Sequence, residues 1–354
     1  MNLDDLRKRI DELDESLLRI LNERLEVVHA VGELKRKEKS VIYRPEREKS
    51  IIDRLDQLNT GEINRAAIEA IYMEIFAISR NYEMPEKISF LGPEGSFTHQ
   101  VAEQRFGALS TYISLPTIRS VFESVDTNRV RFGVIPVENN QEGTVAETIE
   151  QIIAKDIKIV AEITTPIHFS LVSQQENTQQ ITKIYSKDIA FRQCKNFLSD
   201  YFGDDIPKVS VTSTSRAAEL AAAEPTSAAI CSHIAGKMYD VPVLFDNIED
   251  SAKNTTRFLI VAKDFLNQKG DKDKTTVLAK AGHHPGALLE LIQKFSNYGI
   301  NLTKLESRPA PEESKFNYWF IIDFDGHYSD EPIQKILEDH ADQIQLLGSY
   351  PKIV

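Results

Sequence analysis

Two sets of side chains in this sequence are of types that handle anions. The first is Asn254-Thr255-Thr256-Arg257-Phe258, where hydroxyls, a fixed cation and an aromatic ring precede an apolar run at 259–262. A guanidinium binds carboxylates, and a hydroxyl on a loop held by a rigid strand can meet a reacting oxygen. On their own these residues also read as a strand start with one surface Arg and one core Phe. The second set is Arg7, Arg24 and Lys35. On a helix, Arg24 and Lys35 are close to three turns apart and share a face, whereas Arg7 lies about 100° away. If one anionic ligand takes all three, Arg7 is more naturally supplied by a second subunit.

The second set needs a helix. Leu3, Leu6, Ile10, Leu13, Leu17, Leu21, Leu25 and Val28 step by threes and fours. This spacing predicts one helix over 3–37, capped by Asn2, acidic at its start and basic at its end. At roughly 50 Å it is too long for a small domain to cover, so a dimer through this segment is expected. A second helix is expected over 45–58, after Tyr43-Arg44-Pro45-Glu46-Arg47-Glu48. A third, over 63–82, carries Ser79, with Glu83 one turn on. Charges on such helices are also commonly just solvated.

From residue 87 short apolar strands alternate with helices. Strands are expected at 88–91, 130–137, 157–163, 168–172, 183–185, 209–211 and 259–262, and helices near 191–201 and 215–223. The first strand leads into Gly92-Pro93-Glu94-Gly95-Ser96-Phe97-Thr98-His99, whose loop and helix N–H groups could cradle an anion. This run has neither a Walker lysine nor a dinucleotide fingerprint. The second strand delivers Glu138-Asn139-Asn140-Gln141 where open α/β sheets present ligands. Thr212-Ser213-Thr214-Ser215 can cap a helix and also face a ligand. After a charged linker at 269–274, strand (275–281), helix (285–296), strand (302–307), strand (318–324), helix (332–340) and strand (344–349) describe a ferredoxin-like sandwich.

Composition narrows the function. A formal charge of −12 argues against a nucleic-acid partner. The chain has two cysteines and no paired-cysteine metal motif, its start is acidic, and no apolar run approaches a membrane span. A cytoplasmic protein without a membrane partner is expected. His283 and His284 are adjacent without a carboxylate pattern, which reads as a surface loop. No cofactor or metal is implied.

Leu6-Arg7, Glu23-Arg24, Gly32-Glu33-Leu34-Lys35 and Pro45-Glu46-Arg47-Glu48 resemble the all-helical chorismate mutase domain, placed here over residues 1–84. The resemblance implies that Arg7 (across a dimer), Arg24 and Arg47 hold carboxylates. Lys35 would meet the ether oxygen of the breaking C–O bond and Glu48 would accept the ring hydroxyl, with Arg44 and Ser79 beside the substrate. A pericyclic rearrangement needs only a ligand held in its folded conformer and donors aimed at developing charge. Two positions depart from the pattern: Arg44 stands where an Asp is common, and Glu83 where a Gln usually donates. Only a protonated carboxyl donates, and an unperturbed one is ionised at pH 7. Mutase turnover is therefore expected to fall as pH rises, and Glu83→Gln to flatten that fall; identical pH–rate profiles would remove the idea.

Further on, Gly92-Pro93-Glu94-Gly95-Ser96-Phe97, Pro136-Val137-Glu138-Asn139 and Thr256-Arg257-Phe258 resemble prephenate dehydratase, over residues 87–268. The resemblance implies a bilobed α/β (periplasmic-binding-protein-like) fold with Thr256 in its cleft. Prephenate must lose CO2 and its ring hydroxyl, so the site must hold two carboxylates and meet the leaving oxygen. Arg257 is expected to anchor a carboxylate and Thr256 to contact the leaving oxygen, with Glu138 a second candidate proton donor. Ser96, Asn139, Asn140, Thr214 and Phe258 complete the expected pocket. Asn140 stands where Ser is common, and Ser186-Lys187-Asp188-Ile189 replaces a Ser-His-Pro-Gln stretch, so no role passes to Lys187 or Asp188.

Gly286-Ala287-Leu288, Glu306-Ser307-Arg308-Pro309 and Leu346-Leu347-Gly348-Ser349-Tyr350-Pro351 resemble the regulatory ACT domain, over 275–354. This implies phenylalanine binding near Gly286, Ala287, Leu288, Asn301, Glu306, Ser307 and Arg308. Together the resemblances imply a multidomain homodimer or higher oligomer that takes chorismate to prephenate and prephenate to phenylpyruvate under phenylalanine feedback. Rival readings are a non-catalytic amino-acid-sensing regulator and a dehydratase with a decayed mutase domain.

Overall fold

A computed structural model describes residues 2–37, 44–83, 87–107, 110–203, 205–251, 253–309 and 318–352, without the side chains of residues 35–37. The Lys35 side chain therefore lies outside the described residues. The chain divides into two compact units, Met1–Glu86 with Phe106–Thr111, and Lys87–Arg105 with Tyr112–Val354. Among the described residues no helix is long and apolar enough to cross a membrane.

The first unit contains α1 (Leu3–Lys37), α2 (Pro45–Leu58) and α3 (Arg65–Glu83). Asn2 and Asp5 close a reciprocal cap on α1, with Asp5 N donating to Asn2 Oδ1 at 2.8 Å and Asn2 N to Asp5 Oδ2 at 3.0 Å. Ile52, Ile68, Phe76 and Ala77 form the buried centre. With 19 residues, α3 is little more than half as long as the 35-residue α1. The first half of the α1 stripe stays uncovered: Ile10, Leu13 and Leu17 are 56%, 53% and 56% exposed.

The second unit is built on three sheets. The first lobe has β1 (Lys87–Leu91), β2 (Thr111–Leu115), β3 (Phe132–Asn139), β4 (Gly143–Thr144), β5 (Lys158–Pro166) and β11 (Thr255–Ala262). Its strand order is β2-β1-β3-β11-β5, with β4 on β3. Its helices are α4 (Phe97–Phe106), α5 (Ile118–Asp126) and α6 (Ala146–Ala154). The second lobe is inserted between β5 and β11. It has β6 (Ser170–Ser173), β7 (Lys183–Ser186), β8 (Lys208–Ser210), β9 (Ser227–Cys231) and β10 (Val243–Phe245) in the order β10-β6-β9-β7-β8. Around this sheet lie α7 (Asp188–Gln193), α8 (Lys195–Phe202), α9 (Thr214–Ala223) and α10 (His233–Met238). The single helix expected over 191–201 is thus two, broken at the buried Cys194.

The third sheet holds β12 (Asp273–Ala281), β13 (Leu302–Pro309), β14 (Tyr318–Asp325) and β15 (Ile344–Pro351), ordered β13-β14-β12-β15, with α11 (Ala287–Asn297) and α12 (Glu331–Asp339). This is the ferredoxin-like order. Strand alternation gives it two apolar faces. Val277, Ala279, Phe320, Ile322 and Phe324 pack with Leu291, Phe295 and Ile333 of the helices. Leu278, Ile321, Leu347 and Tyr350 instead join one core with Ile135, Val137, Ile159 and Leu259 of the first lobe. The two come close at Gly348, where a Cβ would sit 2.0 Å from the Ile159 carbonyl oxygen. Gly348→Val is therefore expected to destabilise this unit by about 1–3 kcal/mol, read as a lower urea midpoint; an unchanged midpoint would mean the sheets separate at no cost.

Candidate active site

Thr255 to Phe258 lie inside β11, not on a loop before it. Thr256 pairs with Asn139 of β3 and Thr165 of β5, and Arg257 pairs with Glu138 and Thr164. Successive side chains on a strand point to opposite faces, so Thr256 and Arg257 cannot share a ligand pocket there. On the Thr256 face, Asn139 Nδ2 donates to Thr256 Oγ1 at 2.8 Å and lies 2.9 Å from Asn254 Oδ1. Asn139 Oδ1 accepts from the N–H groups of Gln141 and Glu142 at 2.9 and 3.0 Å, which fixes the amide orientation. The Thr256 hydroxyl thus accepts from Asn139, and among the described residues it donates to no protein group. Thr256 is 8% exposed.

An amide relay runs on to the second lobe: Asn254 Nδ2 donates to Gln193 Oε1 at 3.2 Å and Gln193 Nε2 to Gln141 Oε1 at 2.7 Å. Asn140 is spent on the backbone of the returning chain, donating to the Lys253 carbonyl and accepting from Thr255 N at 3.0 Å. The two lobes also meet at the Gly92–Ser96 loop, where Ser215 Oγ donates to the Glu94 carbonyl and Ser232 Oγ to the Gly95 carbonyl at 2.6 Å. Gly95 N donates to His99 Nδ1 at 3.1 Å, and the His99 ring stacks on Phe90 at 4.6 Å. Burial holds the His99 pKa below the usual imidazole value, so a neutral ring accepts this bond near pH 7.

Several expected pocket residues have other duties. Ser96 Oγ donates to the Leu91 carbonyl at 3.2 Å and accepts from His99 N at 3.3 Å. Ser213, rather than Thr214, caps α9. Phe258 is a buried core residue. Glu138 and Arg257 turn to the C-terminal sheet: Lys304 Nζ is 2.5 Å from Glu138, and Arg257 Nη1 is 3.4 Å from Asp323. A role for Arg257 as carboxylate anchor, or for Glu138 as cleft acid, is corrected by this alternation. The sequence reading missed the amide chain from Asn139 through Asn254 and Gln193 to Gln141, although Asn254 adjoins the hydroxyl pair.

In the helical unit, Arg24 Nη1 donates to Ser79 Oγ at 2.6 Å and the guanidinium lies 5.9 Å from the Phe76 ring centroid. Burial draws the Arg24 pKa below its ordinary value. Ser79 Oγ donates in turn to the Ile75 carbonyl at 2.7 Å. Glu48 is buried in an ion pair with Arg80, a residue the sequence reading passed over. Glu83 ends α3 against Gly32, where a Cβ would stand 3.1 Å from Glu83 Cγ. Arg44 occupies the N-cap of α2, and Arg47 is exposed. Arg7 is exposed 3.7 Å from Asp4, roughly 25 Å along α1 from Arg24, so one copy does not gather the two.

On the C-terminal sheet, a cavity of about 580 Å³ is lined by His283, His284, Ala287, Leu288, Ser307 and Tyr318 among others. Gly286, with φ +89°, precedes α11 beside it. Of the expected effector residues, Ala287, Leu288 and Ser307 line this space. Glu306 and Arg308 pair with each other at 2.8 Å and do not line it. Asn301 is exposed before β13 and does not line it either.

The prephenate dehydratase family matches residues 88–265, and the type II chorismate mutase family residues 6–84. The bifunctional chorismate mutase/prephenate dehydratase of Aquifex aeolicus (strain VF5) is 38% identical over 99% of this chain and 98% of its own. That of Pseudomonas aeruginosa is also 38% identical, over 99% of this chain and 97% of its own. A prephenate dehydratase from Arthrobacter aurescens, solved in complex with L-Phe, superposes with a TM-score of 0.68 at 30% identity, covering 75% of this chain and 90% of that one. Matches to both family models within one chain, with relatives aligned over nearly its whole length, make this chain a member of the bifunctional chorismate mutase/prephenate dehydratase family, an enzyme with both domains.

Proposed function

We propose that the helical unit rearranges chorismate to prephenate and that the two-lobed cleft converts prephenate to phenylpyruvate. The observation that carries the second step is the Thr256 hydroxyl, which accepts from Asn139 and keeps its own proton for a ligand. Held this way, it hydrogen-bonds the departing ring hydroxyl as CO2 leaves and the ring becomes aromatic. With Arg257 turned away, the substrate carboxylates fall to the N–H groups at the start of α4, because in the loop before it Gly92, Gly95 and Ser96 donate to Leu115, His99 and Pro93. In the mutase step, Arg24 holds a carboxylate, and Arg7 reaches the same ligand from a second copy that covers the exposed α1 stripe. Lys35, Arg44, Arg47, Glu48, Ser79 and Glu83 complete that pocket.

The domains are taken as residues 1–84, 87–268 and 275–354, the last a regulatory ACT domain. Its largely apolar cavity beside Leu288 and Ser307 suits the side chain of phenylalanine as a feedback effector. Purified protein given chorismate is expected to release phenylpyruvate, more slowly when phenylalanine is added. A regulator without catalysis would release none, and a dehydratase with a decayed mutase would turn over only prephenate.

A further inference from the structure

Arg257 is a fixed cation on a central strand, next in sequence to Thr256, and it stands among carboxylates rather than facing the cleft. Its guanidinium is 3.4 Å from Asp323, 3.6 Å from Glu162 and 3.7 Å from Glu138, and none of these contacts is a close fork. The neighbouring lysines hold the same carboxylates more tightly. Lys274 Nζ is 2.8 Å from Glu162 and 2.9 Å from Asp323, and Lys304 Nζ is 2.5 Å from Glu138. Among the described residues, the buried Arg257 Nε has no hydrogen-bond partner. Arg257 is thus the member of a mostly buried, charge-balanced cluster that is left between alternatives. Two of its carboxylates belong to the first lobe and one to the C-terminal sheet.

Its position links two sites. Glu138 and Arg257 pair across the β3–β11 ladder, one residue from the Asn139–Thr256 pair and beside a register shift in that ladder. A displacement of the first pair therefore moves the second. On the other side, Lys304 belongs to β13, whose Ser307 lines the C-terminal cavity, and Glu306 bridges Lys304 at 3.5 Å and Arg308 at 2.8 Å. A cluster with interchangeable partners between two packed sheets is the kind of bistable element through which one site biases another.

We propose that Arg257 is a positioning residue that couples this cavity to the Asn139–Thr256 pair, by exchanging between Asp323 and the Glu138–Glu162 side. It is not a prephenate ligand. The coupling rests on the reading that phenylalanine occupies the cavity. The test compares full-length wild type, Arg257→Met, Arg257→Lys and Asp323→Asn for prephenate KM and kcat, half-inhibition by phenylalanine, and phenylalanine binding by calorimetry.

For Arg257→Met, KM is expected within about threefold of wild type and phenylalanine binding likewise, while the half-inhibiting concentration rises about tenfold or more, some 1.4 kcal/mol of coupling. Asp323→Asn, on the other domain, is expected to reproduce this, and Arg257→Lys to restore part of the inhibition. Should Arg257→Met fail to fold, the other two variants carry the same comparison. A KM raised thirtyfold or more with inhibition intact would make Arg257 a substrate ligand. Unchanged inhibition in the Arg257 and Asp323 variants would overturn the coupling alone. A wild type that neither binds phenylalanine nor is inhibited by it would overturn the effector reading and the coupling with it.

Discussion

Thr256→Ala is expected to lower dehydratase kcat by about a hundredfold or more while the mutase rate stays at the wild-type value. The substitution removes the one group on this strand face that is both oriented and able to give a proton to the leaving oxygen. It should not act through unfolding, because Asn139 keeps its bonds to Asn254 Oδ1 at 2.9 Å and to the Thr255 carbonyl at 3.2 Å. Thr256→Ser retains the hydroxyl and is expected to keep most of the rate. Thr256→Val keeps the shape without the hydroxyl and is expected to behave like the alanine variant. Steady-state assays on prephenate, with urea unfolding as a control, separate loss of chemistry from loss of structure. Equal rates for the wild type and Thr256→Ala, with folding intact, would remove Thr256 from the mechanism.

The second large effect is on the mutase. Arg24→Ala is expected to reduce mutase kcat/KM by about a hundredfold or more with prephenate turnover unchanged. A charge-assisted hydrogen bond contributes about 1.5–3 kcal/mol, and a guanidinium makes two of them to a carboxylate. Arg24 is half-buried over Phe76, so its charge is already partly stripped of water before a ligand arrives. The fold should tolerate the change, since Ser79 keeps its bond to the Ile75 carbonyl. Chorismate kinetics read the effect, and a loss of less than about threefold would show that Arg24 does not hold the substrate.

Much of this was legible in the sequence. The stripe from Leu3 to Val28 gave the long helix, and in the C-terminal sandwich alternating apolar residues located every strand and helix to within a few residues. What misled was polarity inside a strand. The polar run 255–257 looks like a loop because it precedes the apolar stretch, yet β11 runs through it with both edges paired. Adjacency in sequence suggests cooperation, whereas the pleat sends Thr256 and Arg257 to opposite sides. The charge cluster was invisible for a related reason. Lys274, Lys304 and Asp323 come from three strands, and each alone looks like ordinary solvated charge. Arg80 was hidden likewise, a cation near the end of a largely apolar helix whose partner, Glu48, lies in another helix. β9, with the sequence Ser-Ala-Ala-Ile-Cys, has too little large apolar side chain to announce a central strand, although all five residues are buried.

The most direct test gives chorismate alone, then prephenate alone, to wild type, Thr256→Ala and Arg24→Ala, and follows prephenate and phenylpyruvate over time. Two sites acting in succession predict phenylpyruvate from wild type, accumulated prephenate from Thr256→Ala, and for Arg24→Ala a normal rate from prephenate but almost none from chorismate. Loss of both reactions together in each variant, or undiminished phenylpyruvate from chorismate in either, would contradict the account.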